Sequence, residues 1–139
     1  MAVTREPVFV QLPKITPVSF VNADGTAKKT LVTAGTDGTK VLDGTITSTD
    51  TAARNVQLWL TRSAVSYLIG TVAVAIAAGS DGTTNGVRLL DTTLIPGLPL
   101  DHDGHKFILL QSGDTLQVNM LVAVTATKEV DVVAMSIDF

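Results

Sequence analysis

The chain has 139 residues, 10 basic and 13 acidic side chains and a formal net charge of -3, with 45% apolar and 17% charged residues. The lack of Cys excludes disulfide frameworks, thiol catalysis and Cys-ligated zinc, and it fits a reducing compartment. The mild negative charge argues against nucleic-acid binding, which carries a basic footprint.

No membrane segment is expected. The longest apolar stretch, Tyr67 to Ala78, is interrupted by Gly70 and Thr71 and falls short of the roughly 20 residues that a spanning helix needs. Met1 to Pro7 carries Arg5 and Glu6 without an apolar run, so no signal peptide is expected either. A domain of this length buries roughly 68% of its unfolded surface, enough for one core. Thr, Val and Ile supply 45 of the 139 residues. Their branched side chains favour pleated strands over helices.

The chain opens on Val8, Phe9, Val10, Leu12 and Ile15, spaced by Pro7, Pro13 and Pro17. Proline withholds a ladder donor, so residues 1–20 read as an edge strand or an extended apolar arm, docking on its own domain or on a neighbour. Residues 21–139 read as one domain. Asp-Gly pairs at 24, 37, 43, 81 and 103, with Asn85-Gly86 and Ser112-Gly113-Asp114, mark turns. Between them the period is two. The expected strands are Val8–Leu12, Lys29–Ala34, Lys40–Thr47, Asn55–Ser63, Ser66–Ala77, Gly86–Leu90, Lys106–Leu110, Thr115–Val124 and Val130–Ile137.

Three alternating runs predict inward faces: Val56, Leu58 and Leu60; Val72, Val74 and Ile76; Val118, Met120, Val122 and Val124. Alternation marks antiparallel strands with one buried face. About eight such strands from Lys29 onward fit an all-β antiparallel sandwich of the jelly-roll type, with an immunoglobulin-like sandwich as the alternative. The opposite faces carry Thr71, Ala73, Ala75 and Leu121. They are either covered by a partner subunit or open to water. The loop Leu94-Ile95-Pro96-Gly97-Leu98-Pro99-Leu100 is rigid and apolar. It reads as a contact site or as a flap closing one end of the sandwich.

Chemistry has few places to sit. Asp101-His102-Asp103-Gly104-His105 gathers both histidines but names no third metal ligand, so it reads as an Asp-Gly turn rather than a metal site. No nucleophile elbow, phosphate loop or flanking carboxylate pair appears, and no enzyme and no cofactor are expected. Trp59 shares a polar strand face with Gln57 and Thr61. It packs on its own fold, meets another subunit, or stacks on a sugar together with Tyr67.

Gly35 to Thr39, Val56 to Leu60, Leu94 to Asp101 and Ser112 to Val118 give the chain a resemblance to the jelly-roll decoration, or cement, proteins of tailed phages and prophages. The resemblance implies a protein made in the bacterial cytoplasm that coats the capsid exterior. It implies that the protein bridges major capsid subunits, forms homodimers or homotrimers, and catalyses nothing. The expected contact residues are Val8, Phe9, Val10, Leu12, Ile15, Trp59, Leu94, Ile95, Leu98 and Leu100. A carbohydrate- or receptor-binding sandwich, or another head or tail component, is the competing reading.

Overall fold

The computed structural model describes residues 12–90 and 93–139. Nine strands build it: β1 Leu12–Val21, β2 Lys29–Thr33, β3 Thr39–Ser48, β4 Arg54–Arg62, β5 Val65–Val74, β6 Val87–Arg88, β7 Ile108–Leu110, β8 Thr115–Met120 and β9 Glu129–Asp138. One 3-10 turn, Asn22–Asp24, follows β1.

All strand pairs are antiparallel and fall into two sheets. The first runs β1-β9-β3-β6, with β7 also on β3; the second runs β2-β8-β4-β5. β6 and β7 share one side of β3, pairing with Thr45–Ile46 and Thr39–Val41. They are one strand position broken by a long loop. Counted this way there are eight positions. The chain passes between the sheets at every step except β4 to β5, which is the order of two Greek keys, a jelly roll.

The sequence left residues 1–20 open between an edge strand and an extended arm, and their described part, from Leu12, is in an edge strand. Leu12–Val21 belongs to the sandwich and pairs with β9 along its whole length. Pro13 and Pro17 are four residues apart, so their nitrogens point the same way, and among the described residues β1 has only β9 beside it. The open edge accommodates both. Phe20 is wholly buried, so this strand also supplies the core.

The core lies between the sheets. Val56 and Leu58 of β4, Val72 and Val74 of β5, and Val118 and Met120 of β8 are buried, as the alternation predicts, and Val130 and Val132 of β9 are buried with them. Two expected strands stop early. β5 ends at Val74 and β8 at Met120, so Ile76 and Val122 lie beyond the ladder and are half exposed.

Asp43-Gly44 makes no turn. The β3–β9 register shifts between Val41 and Asp43, a bulge that inverts the alternation. Thr39 and Val41 face inward before it, Gly44, Ile46 and Ser48 after it. The Asp43 carboxylate accepts N–H bonds from Gly44 at 2.7 Å and Leu90 at 3.0 Å, fixing the start of the loop after β6.

The β4–β5 hairpin turns on Ser63 and Ala64, both at positive φ, between paired Arg62 and Val65. Two loop residues with positive φ define a type I′ turn, which Asn-Gly fits best. A Cβ-bearing residue is strained there. The double substitution Ser63→Asn/Ala64→Gly should therefore raise the unfolding free energy by about 1 kcal/mol, read as a higher urea midpoint at unchanged slope.

Candidate interaction surface

Two outer faces are available, and they differ in chemistry. The face of the second sheet is polar and internally bonded. Trp59 Nε1 donates to Asn119 Oδ1 at 2.7 Å, and Asn119 Nδ2 donates to the Thr26 carbonyl. The Thr61 hydroxyl sits 2.7 Å from Gln117 Oε1 and 2.9 Å from the Ser66 hydroxyl. The Lys28 ammonium lies 4.1 Å from the Trp59 ring centroid and occupies one face of it. Trp59 is thus packed by its own fold. Thr71 and Ala73 lie on this face too, opposite Gln57 and Asn55.

The face of the first sheet is apolar at one end. Val130, Val132 and Ala134 of β9 fill the core, so Val133, Met135 and Ile137 point outward. The register sets Pro13 beside Ile137, Ile137 beside Lys40 and Lys40 beside Leu109. The next row sets Ile15 beside Met135; the one after sets Pro17 beside Val133. Ile15 is 72% exposed and Leu109 60% exposed. Leu42, thrown outward by the bulge, extends the same surface. Toward the other end the rows turn polar, with Ser19, Asp131 and Thr47 in line.

A groove of about 490 Å³ opens on this face, lined by Leu42, Met135 and Phe107 together with Arg88, Asp101 and His105. The Lys40 ammonium lies 4.7 Å from the Phe107 ring centroid. At the far side of the sheet Lys14 pairs with Asp138 at 2.8 Å. That lysine, followed by the Thr39 hydroxyl, holds the Asp138 carboxyl below the usual carboxylate range.

The contact residues expected from sequence separate into groups. Val8, Phe9 and Val10 lie outside the described residues. Leu12 and Ile15 are exposed on β1, Leu94 and Leu100 on the loop. Ile95 is 3% exposed, and its place is in the core rather than on a contact surface. A Cβ on Gly70 would come within 2.7 Å of Ile95 Cγ1, so the isoleucine fills the space that the glycine leaves. Leu98 packs against the core as well. The loop therefore closes one end of the sandwich with two of its apolar side chains and exposes the other two.

Sequence reasoning missed Met135, Leu42, Leu109, Val133, Ile137 and Phe107. Only the first sheet's register unites them. The one local signal, for Val133, Met135 and Ile137 alone, is the apolar second face of Val130–Ile137.

The histidine segment is a turn. Asp101 accepts N–H bonds from Asp103 and His105, both at 2.9 Å, and Gly104 has φ +84°. The His105 N–H bond is the main reason the Asp101 carboxyl sits below its ordinary range. His102 is exposed, 3.3 Å from Asp103. Among the described residues no three His, Asp or Glu side chains converge as a metal ion would require.

Two carboxylates are fully buried among the described residues, and both serve the frame. The Asp114 carboxylate accepts from Arg62 Nε and Nη2, both at 2.7 Å, and from the Gln111 N–H at 2.9 Å. Asp50 takes Arg54 Nε at 2.7 Å and the N–H groups of Ala52 and Thr125, both at 3.0 Å.

No protein-family model matches the chain, and no curated protein matches it. Chains of solved structures align with it. A chain in the acidic stable capsid structure of Helicobacter pylori bacteriophage KHP30 aligns with TM-score 0.57 and 10% identity, over 93% of this chain and 90% of that one. A chain in the capsid asymmetric unit of cyanophage Pam1 aligns with TM-score 0.47 and 14% identity, over 100% of this chain and 94% of that one.

Proposed function

We propose that the protein is a phage virion structural protein that binds the outer capsid surface as a decoration or cement protein. It bridges neighbouring major capsid subunits and stabilises the head, and it has no catalytic role. The observation that carries this reading is the apolar end of the first sheet's outer face. Ile15, Met135, Leu42 and Leu109 lie together there, between 38% and 72% exposed, while the opposite face of the sandwich is bonded within itself. Apolar surface grouped on one side of a small domain marks a contact with another macromolecule. The near full-length likeness to a chain in a phage capsid structure supports a capsid as that partner.

The apolar patch grades into polar rows, and Lys40, Arg88 and Asp101 stand around the groove. An apolar centre with a charged margin is the usual anatomy of a protein interface. Leu12, Leu94 and Leu100 belong with the proposed contact residues because they are exposed.

Co-sedimentation with heads of the encoding phage, stripped of this protein, tests the proposal. The wild-type chain should pellet with the heads. The double variant Ile15→Asp/Leu109→Asp puts two carboxylates at the two most exposed of these positions, on strands that do not pair with each other. It should bind at least about tenfold more weakly, because each charge loses water on docking. Its own stability should change by no more than about 0.5 kcal/mol per site, as for other exposed positions. Equal binding by the variant would remove this face from the interface. A wild-type chain that never pellets would remove the decoration role.

A further inference from the structure

The two sheets have four open edges, and three are protected. β1 carries Pro13, Lys14 and Pro17. β6 and β7 are two and three residues long. β2 has five residues, carries Lys29 and is irregular between Thr30 and Val32. Short length, proline, lysine and bulges are the devices that keep a sheet edge from pairing with another chain.

β5 has neither short length, proline nor lysine, and a bulge at Ile69 is its one such device. It is ten residues long, reads Val-Ser-Tyr-Leu-Ile-Gly-Thr-Val-Ala-Val, and carries neither proline nor charge. Only β4 pairs with it among the described residues. A register shift at Ile69 divides it into two regular runs, Val65–Leu68 and Gly70–Val74. Val65, Tyr67 and Leu68 are about half exposed.

We infer that β5 pairs antiparallel with β5 of a second copy of this chain, making a two-fold symmetric dimer. Two observations select a second copy over another strand. The strand is uncharged throughout, so pairing with itself opposes no like charges, which would destabilise cross-strand pairs. Self-pairing also closes: the four-stranded sheet becomes eight-stranded, and both of its new ends are the protected β2 edge. Pairing of β5 with any other edge of the same molecule would be heterologous and would grow into filaments unless it closed as a ring.

The two-fold axis that relates antiparallel edge strands stands normal to the sheet. It keeps the bonded polar faces of both copies on one side and both apolar first-sheet faces on the other. If those faces bind a capsid, as proposed above, the dimer addresses one surface with two contacts. The pairing itself does not depend on that reading and is measured on the purified chain alone.

Light scattering coupled to size exclusion on the full chain at tens of micromolar should give the mass of two chains. Leu68→Lys/Ala73→Lys places charge at two exposed positions of β5 and should give the mass of one chain, with an unchanged circular dichroism spectrum. Amide exchange within Val65–Val74 should slow at least tenfold between dilute and concentrated wild-type protein. A wild-type mass of one or three chains overturns the inference. So does a lysine variant that stays dimeric, or a dimer in which the β5 amides exchange at the same rate at every concentration.

Discussion

Replacing Asp50 by alanine should lower the unfolding free energy by about 3–5 kcal/mol, the range for removing one member of a buried ion pair. Asp50 is fully buried between the end of β3 and the start of β4, and the Arg54 side chain is 14% exposed. Removing the carboxylate strands the Arg54 guanidinium and the N–H groups of Ala52 and Thr125 away from water. Arg54 keeps only its bond to the Thr125 hydroxyl. The same substitution at Asp37, exposed in the turn before β3, should stay within about 0.5 kcal/mol. Urea unfolding of both variants checks the contrast. A loss below about 1 kcal/mol at Asp50 would show that the buried network contributes no more than a surface pair.

Acid should unfold the protein from below about pH 4. Six aspartates have carboxyls held below their ordinary range, each for a local reason. At Asp50 burial works against ionisation, but the Arg54 and Thr125 bonds outweigh it. At Asp114 the Arg62 guanidinium is the main cause, at Asp138 the Lys14 ammonium. At Asp24, Asp81 and Asp101 the leading cause is a backbone N–H, from Val21, Thr84 and His105 respectively.

A group whose folded pKa is depressed contributes stability above its unfolded pKa, about 3.9 for aspartate. That contribution is lost as pH falls through the folded value. The urea midpoint should thus be nearly flat between about pH 7 and about pH 5, then fall steeply toward about pH 2. Asp50→Asn should be less stable at neutral pH and lose less on acidification, because one of the linked protons is gone. A midpoint that rises or stays level below about pH 4 would contradict the linkage. So would equal acid loss in the asparagine variant.

Much of the fold was legible because its signals are local. The alternation of Val56 with Leu58 and of Val118 with Met120 marks the core faces, since a strand has a period of two wherever it lies. Gly25, Gly38, Gly82, Gly104 and Gly113, each after an Asp or Ser, do adopt positive φ at turns. The failures are equally physical. Asp43-Gly44 imitates a turn, yet the same residues serve a bulge inside β3. The tightest hairpin turns on Ser63-Ala64, one residue before the break expected at Ala64-Val65, and no Gly or Asn marks it, because β4 and β5 hold it in a strained conformation.

The candidate surface was only partly legible. Leu12, Ile15, Leu94 and Leu100 were identified as apolar residues in proline-bearing segments, and all four are exposed. Ile95 and Leu98 look the same in sequence, but they serve the core, because Gly70 leaves space that only the folded loop reveals. Met135, Leu109 and Leu42 are 26 to 93 positions apart and meet only through the order β9-β3-β7 and the bulge.

By itself the sequence determined that the protein is a β-sandwich, where most of its strands lie and which side chains enter the core. Those properties follow from the backbone period and from turn residues acting on their neighbours. The tertiary structure decided the strand order, the sheet that received the proline-bearing first strand, and the face on which the outward apolar residues gathered. Those depend on which distant strands share hydrogen bonds, and no local pattern in the chain encodes that choice.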